Sequence, residues 1–96
     1  MNKCIFSWFG FVMPLQERLS LIKEVGFDGT CLWWEDEVYP ETIPVDHMPS
    51  MVRDAGLIID NIHCPYEGAD GFWSTNSKVR QNEIDTYYSY IEACAR

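Results

Sequence analysis

His63 is the residue whose type and position most clearly suggest chemistry. It ends the β-branched apolar run 58–63, which begins two residues after Gly56 and is followed by Cys64 and Pro65. A run of this kind is typical of a buried parallel strand, and ligands of parallel α/β folds bind beyond the carboxyl ends of strands. A neutral imidazole there can ligate a metal or hydrogen-bond a hydroxyl group. The alternative is a histidine satisfied inside a core network, and the strand-end position favours the functional interpretation.

Glu35 is the best acidic candidate, because it follows the apolar run Thr30–Trp34. Side chains alternate along a strand, so Cys31, Trp33 and Glu35 share one face. Glu35 would then reach the carboxyl end of the strand as a hydroxyl acceptor or metal ligand. The alternative, which we favour for the two acids that follow it, is a solvated loop carboxylate. By the same alternation Asn61 would share the face of His63, together with Ile59.

Tryptophans accompany these polar candidates. Trp8, Trp33 and Trp34 all fall near the ends of predicted strands. An aromatic face there could stack on the apolar C–H surface of a sugar ring, whereas the alternative is packing in the core. We therefore take all three as candidate binding residues, with Trp8 favoured as a wall because it ends the first strand.

The elements that position these residues follow a repeated order. A first strand over 4–8 precedes a helix from Pro14 to Gly26, and Asp46 is the predicted N-cap of a second helix ending at Gly56. A last helix begins near Asn76 or Ser77. Its apolar residues recur at helical spacing: Ile84, Tyr87, Tyr88, Ile91 and Ala95.

A repeat indicates the architecture. Glu24-Val25-Gly26-Phe27 and, thirty residues later, Asp54-Ala55-Gly56-Leu57 each place a helix-ending glycine before an apolar run. Alternating strands and helices predict a parallel sheet with right-handed crossovers. The fold class is therefore α/β, with one domain over residues 1–96 that supplies about three of the eight units of a TIM (β/α)8 barrel of about 250 residues. A doubly wound fold is the alternative, but the glycine-rich loop expected after its first strand is missing.

Charge and cysteine content restrict the partners. The chain has 15 acidic and 7 basic residues and a net charge of -8, which would repel nucleic acid. The four cysteines are too far apart in sequence to form the close pairs of zinc or redox motifs, so we expect reduced thiols in a cytoplasmic protein.

No apolar run approaches the ~20 residues of a membrane helix. Exposed sheet edges predict a homo-oligomer.

The sequence resembles a known group of proteins. Two segments resemble the opening of xylose isomerase-like TIM barrels. The first is 24–29, leading to Leu32-Trp33-Trp34, and the second is Gly56-Leu57, leading to 61–65. That group includes sugar phosphate isomerases, epimerases and related apurinic endonucleases. The likeness spans nearly the whole chain, and its most specific pieces are Gly-Phe-Asp-Gly before the second strand and His-x-Pro after the third.

The resemblance implies a divalent metal (Mn, Mg, Co or Zn), held by side chains of later barrel strands that this chain lacks. It also implies proton transfer on a small sugar or sugar phosphate. Only His63 carries over, onto the group's strand-three histidine, and Cys31 stands where members often have a glutamate. The expectation is the amino-terminal part of a sugar (phosphate) isomerase or epimerase, inactive by itself. A non-catalytic carbohydrate-binding or assembly module and a metal-dependent hydrolase or nuclease are the alternatives.

Overall fold

Three strands and three helices alternate in a computed structural model that describes residues 1–96. The strands are β1 (Cys4–Phe6), β2 (Gly29–Trp33) and β3 (Ile58–His63). The helices are α1 (Leu15–Glu24), α2 (Met48–Asp54) and α3 (Ser77–Ala95), and short 3₁₀ turns, Val45–His47 and Ala69–Trp73, precede α2 and α3. All strand pairs are parallel, in the order β1-β2-β3. The predicted α/β fold with three βα units is confirmed.

The hydrophobic core lies on one side of the sheet, under α1 and α2. It contains nine buried residues: Leu15, Leu19, Ile22, Leu32, Trp34, Ile43, Met48, Val52 and Leu57. Thr30, Leu32 and Trp34 all point to this side and are buried, which confirms the face assignment along β2. Trp34 is only 2% exposed, so the expectation that it lines a binding site is corrected: it packs in the core.

A β-bulge at Asp60 changes the alternation along β3. Ile59 pairs with Thr30 but Asn61 pairs with Cys31, so Asp60 has no partner on β2. Because register partners share a face, Ile59 lies on the core side while Asn61 and His63 lie on the other. The prediction that Ile59 shares the face of His63 is therefore wrong, since a period of two fails where a strand contains an extra residue.

Helix and strand ends agree with the sequence in part. Gly26 and Gly56, predicted to end helices, lie just after α1 and α2 in the left-handed conformation, with φ of 98° and 78°. Asn76 caps α3 by accepting a 2.9 Å hydrogen bond from the Lys78 amide. The Asp46 cap is wrong, because the residues there form the 3₁₀ turn and Asp46 makes no capping hydrogen bond. β1 ends at Phe6, two residues earlier than predicted.

Helix α3 leaves its apolar stripe largely uncovered. None of its 19 residues is buried, and Ile84, Tyr88 and Ile91 are exposed. The helix contacts the 3₁₀ turn before it and, through the carbonyl of Cys94, accepts a 3.0 Å hydrogen bond from Arg53. The helices of the chain include none that is long and apolar enough to span a membrane.

Gly29 lies too close to Ile58 of β3 to carry a side chain, and we predict that Gly29→Ala is destabilising. A Cβ atom there would lie 2.5 Å from Ile58 Cγ1 and 2.6 Å from the Ile58 carbonyl oxygen. Since backbone must move to relieve this contact, we expect a loss of about 2 kcal/mol in the free energy of unfolding. Urea denaturation measures it. Gly71→Ala is the control, because its Cβ would meet only side chains, at 3.3 Å or more; an equal loss in both variants would contradict the explanation.

Candidate functional site

The face of the sheet opposite the helices carries a cluster of rings at the carboxyl ends of the strands. Trp33 and His63 are register partners on β2 and β3, and their ring centroids are 4.8 Å apart. Phe6 packs 6.1 Å from Trp33 and 5.4 Å from His63, and Tyr66 packs edge-on to His63 at 5.4 Å. We call Phe6, Trp33, His63 and Tyr66 the ring cluster. The topology therefore brings His63 and Trp33, predicted from sequence, into contact.

His63 is only partly satisfied within the chain. Its Nε2 atom lies 3.3 Å from the Tyr66 hydroxyl oxygen, but its Nδ1 atom is buried and has no hydrogen-bond partner. An unpaired buried polar atom is costly. The core-network alternative for His63 accounts for only one of the two ring nitrogens, so a further polar group beside Nδ1 would stabilise this arrangement.

A pocket of about 450 Å³ adjoins the ring cluster at the carboxyl ends of β1 and β2. We call it the mouth pocket. Its eight lining residues are mostly apolar and include four aromatic side chains and two acids: Phe6, Trp8, Val12, Trp33, Asp36, Glu37, Val38 and Tyr39. Trp8 and Trp33, both predicted from the sequence as binding residues, therefore line one pocket together with residues of the loop after β2.

The acids that follow β2 are placed differently from the expectation. Glu35 does not line the mouth pocket; its carboxylate accepts a 3.0 Å hydrogen bond from Trp33 Nε1 and so fixes that indole. Asp36 and Glu37 line the pocket instead. Asp36 Oδ1 accepts a 2.8 Å hydrogen bond from the Val45 amide, which ties the two ends of the loop together.

Arg18 is the residue that the sequence reasoning missed. It is fully buried, and its guanidinium donates to the Ser7 carbonyl (2.7 Å), to the Met13 carbonyl (3.0 Å) and to the Glu37 carboxylate. The same group lies 5.4 Å from the centroid of the Trp8 ring, within cation–π distance. Arg18 thereby connects α1 to the loops that follow β1 and β2.

The sequence did contain a signal for Arg18. Leu15, Leu19 and Ile22 form the buried stripe of α1, and position 18 falls on that stripe at helical spacing. A charged residue at a core position must find partners there.

Cys31 and Asn61 pair on the same face, nearer the amino ends of the strands. The Cys31 thiol donates to Asn61 Oδ1 at 2.6 Å. Burial, and next the nearby Asp60 carboxylate, raise the pKa of Cys31. The thiol is therefore held in its neutral form, which makes it a poor nucleophile.

The chain's own residues do not fit a metal centre. No three His, Cys, Asp or Glu side chains come close enough together to hold an ion. His63 is instead within hydrogen-bond distance of Tyr66, and Glu35 accepts a hydrogen bond from Trp33.

Comparison with models of protein families, with curated proteins and with solved structures finds no match for this chain.

We predict that Arg18→Met destabilises the chain by about 3 kcal/mol, because it leaves the carboxylate of Glu37 and two carbonyl groups without their donor. Urea denaturation measures the loss. The double variant Arg18→Met/Glu37→Leu should recover part of the stability, since an apolar pair replaces the ion pair. Lys23→Met, which removes an exposed cation of α1, is the control; a similar loss there would show that the buried position is not what matters.

Slow alkylation of Cys31 is a second expectation at this site. Its raised pKa means that less thiolate is present at pH 8 than in the unfolded chain, so the rate with iodoacetamide should be lower in the native protein and should still be rising above pH 9. Peptide mass spectrometry reads each thiol separately. Asp60→Asn should increase the rate and Asp70→Asn should not; an unchanged rate in Asp60→Asn would contradict the electrostatic contribution.

Proposed function

We propose that the chain forms the first three βα units of a sugar (phosphate) isomerase or epimerase barrel, and that its mouth pocket and ring cluster hold part of the sugar. The observation that carries the proposal is the position of the mouth pocket and of His63 at the carboxyl ends of parallel strands. Sites of (β/α)8 barrels form at that end. A xylose isomerase-like origin belongs to the same proposal, on the sequence resemblance given above.

The distribution of side chains on the sheet supports a barrel. The core covers only the helix side, and the opposite face carries Phe6, Cys31, Trp33, Asn61 and His63, of which none is buried. In a closed barrel this face becomes the interior. Further strands beside β1 and β3 would cover it and pair the two open edges.

The chemistry open to these residues is binding and orientation. The indoles of Trp8 and Trp33 can stack on the C–H face of a sugar ring, and the carboxylates of Asp36 and Glu37 can accept hydrogen bonds from its hydroxyl groups. His63 is half-buried and lies beside Trp33, so the exposed part of its ring can contact a sugar that reaches the ring cluster. Proton transfer next to a carbonyl would need a base on another part of the barrel, so this chain alone should be inactive.

A second candidate is a non-catalytic carbohydrate-binding module. The mouth pocket favours it, because its aromatic walls and two carboxylates make a sugar subsite without any contribution from His63. The two candidates differ in what His63 does.

Sugar binding is the first test of the proposal. Tyr39→Ala, which removes an exposed wall of the mouth pocket, should weaken binding of a free aldose about fivefold to tenfold, as about 1 kcal/mol per aromatic contact implies. Trp8→Ala should do at least as much. Trp73→Ala, at an exposed indole outside the pocket, is the matched control. Calorimetric titration gives the affinities; equal losses at positions 39 and 73 would contradict the site.

His63→Ala separates the two candidates. In a barrel subsite His63 contributes, so the variant should also weaken binding, whereas a binding module confined to the mouth pocket would keep its affinity. Isomerase assays with added divalent metal should give no turnover by this chain. Clear turnover would contradict the proposal that the catalytic groups lie elsewhere.

A further inference from the structure

The charged side chains that line the mouth pocket are all acidic. Asp36 and Glu37 are its only ionisable lining residues apart from Tyr39, and no Lys, Arg or His side chain lines it. Each of the two carboxylates uses one oxygen within the chain, toward Val45 and Arg18 respectively. The second oxygen of each remains available to a bound hydroxyl group.

The one nearby cation is closed to a ligand. Arg18 is 0% exposed, and its Nε and both terminal nitrogens already donate to Met13, Ser7 and Glu37. One face of its guanidinium also meets the Trp8 ring. Because it is fully buried, Arg18 compensates one of the two carboxylate charges but exposes no donor to an anion in the pocket.

We infer that the mouth pocket takes the uncharged polyol part of a sugar and rejects a phosphate group. This inference rests on the proposed function and specifies which part of the substrate enters this subsite. A phosphate monoester carries a charge of about −1.5 to −2 at pH 7, and here it would face a net negative pocket with apolar walls that screen charge less than water does. Hydroxyl groups, by contrast, find carboxylate acceptors and aromatic faces. A phosphate on the substrate must therefore be bound elsewhere.

Calorimetric titration of the full chain with a free hexose, its 6-phosphate and inorganic phosphate tests the charge selection. We expect the free hexose to bind at least tenfold more tightly than the 6-phosphate, and inorganic phosphate not to compete. The ratio should fall as sodium chloride is raised, because salt screens the repulsion.

Asp36→Asn provides the matched variant. It removes the carboxylate charge that Arg18 does not compensate, so affinity for the 6-phosphate should rise at least fivefold, whereas affinity for the free hexose should not rise and should fall if Asp36 accepts a hydroxyl hydrogen bond. Asp46→Asn is the control, since Asp46 is an exposed acid outside the pocket. An equal gain in both variants would attribute the selection to the overall charge of the chain and overturn the inference.

The remaining outcomes separate this inference from the proposal beneath it. If the 6-phosphate binds as tightly as the free hexose or more tightly, the charge selection is wrong and the sugar site stands. If neither sugar binds, the proposed function fails and the inference fails with it.

Discussion

The guanidinium of Arg18 is the interaction on which the candidate site depends. The loops after β1 and β2 have little regular structure of their own, and the second contains one isolated bridge, between Glu37 and Ile43. One buried cation binds both loops to α1 and lies beside the Trp8 ring. A buried ion pair of this kind contributes little net stability but is costly to break. Its effect is to fix one arrangement of the pocket walls.

The general fold was predictable because its signals are local. The glycines at 26 and 56 end helices in a conformation that other residues avoid, and the short apolar runs after them are typical of strands in a parallel sheet. Alternation along β2 placed Trp33 and Leu32 on opposite faces correctly. The same rule failed on β3, since nothing in the residues 58–63 shows that Asp60 is looped out of the pairing.

The candidate site was predictable only where strands end. His63 and Trp33 could be placed because register partners of a parallel sheet meet at one edge. The pocket itself could not, because its other walls belong to loops whose path depends on distant contacts: Glu37 on Arg18, and Asp36 on Val45. Glu35 ranked first by alternation, yet its hydrogen bond to the Trp33 indole turns it away from the pocket. Spacing along one strand carries no information about such partners.

The bulge at Asp60 also affects how this chain can be compared with others. With Asp60 removed, Ile59 and Ile62 would fall on the helix side and Asn61 and His63 on the other by simple alternation, as they do now with the bulge. The extra residue thus changes the length of β3 without changing which side chains face which way. A homologous strand one residue shorter could present the same surfaces, and an alignment without a gap at Asp60 would pair inward residues with outward ones on one side of the bulge.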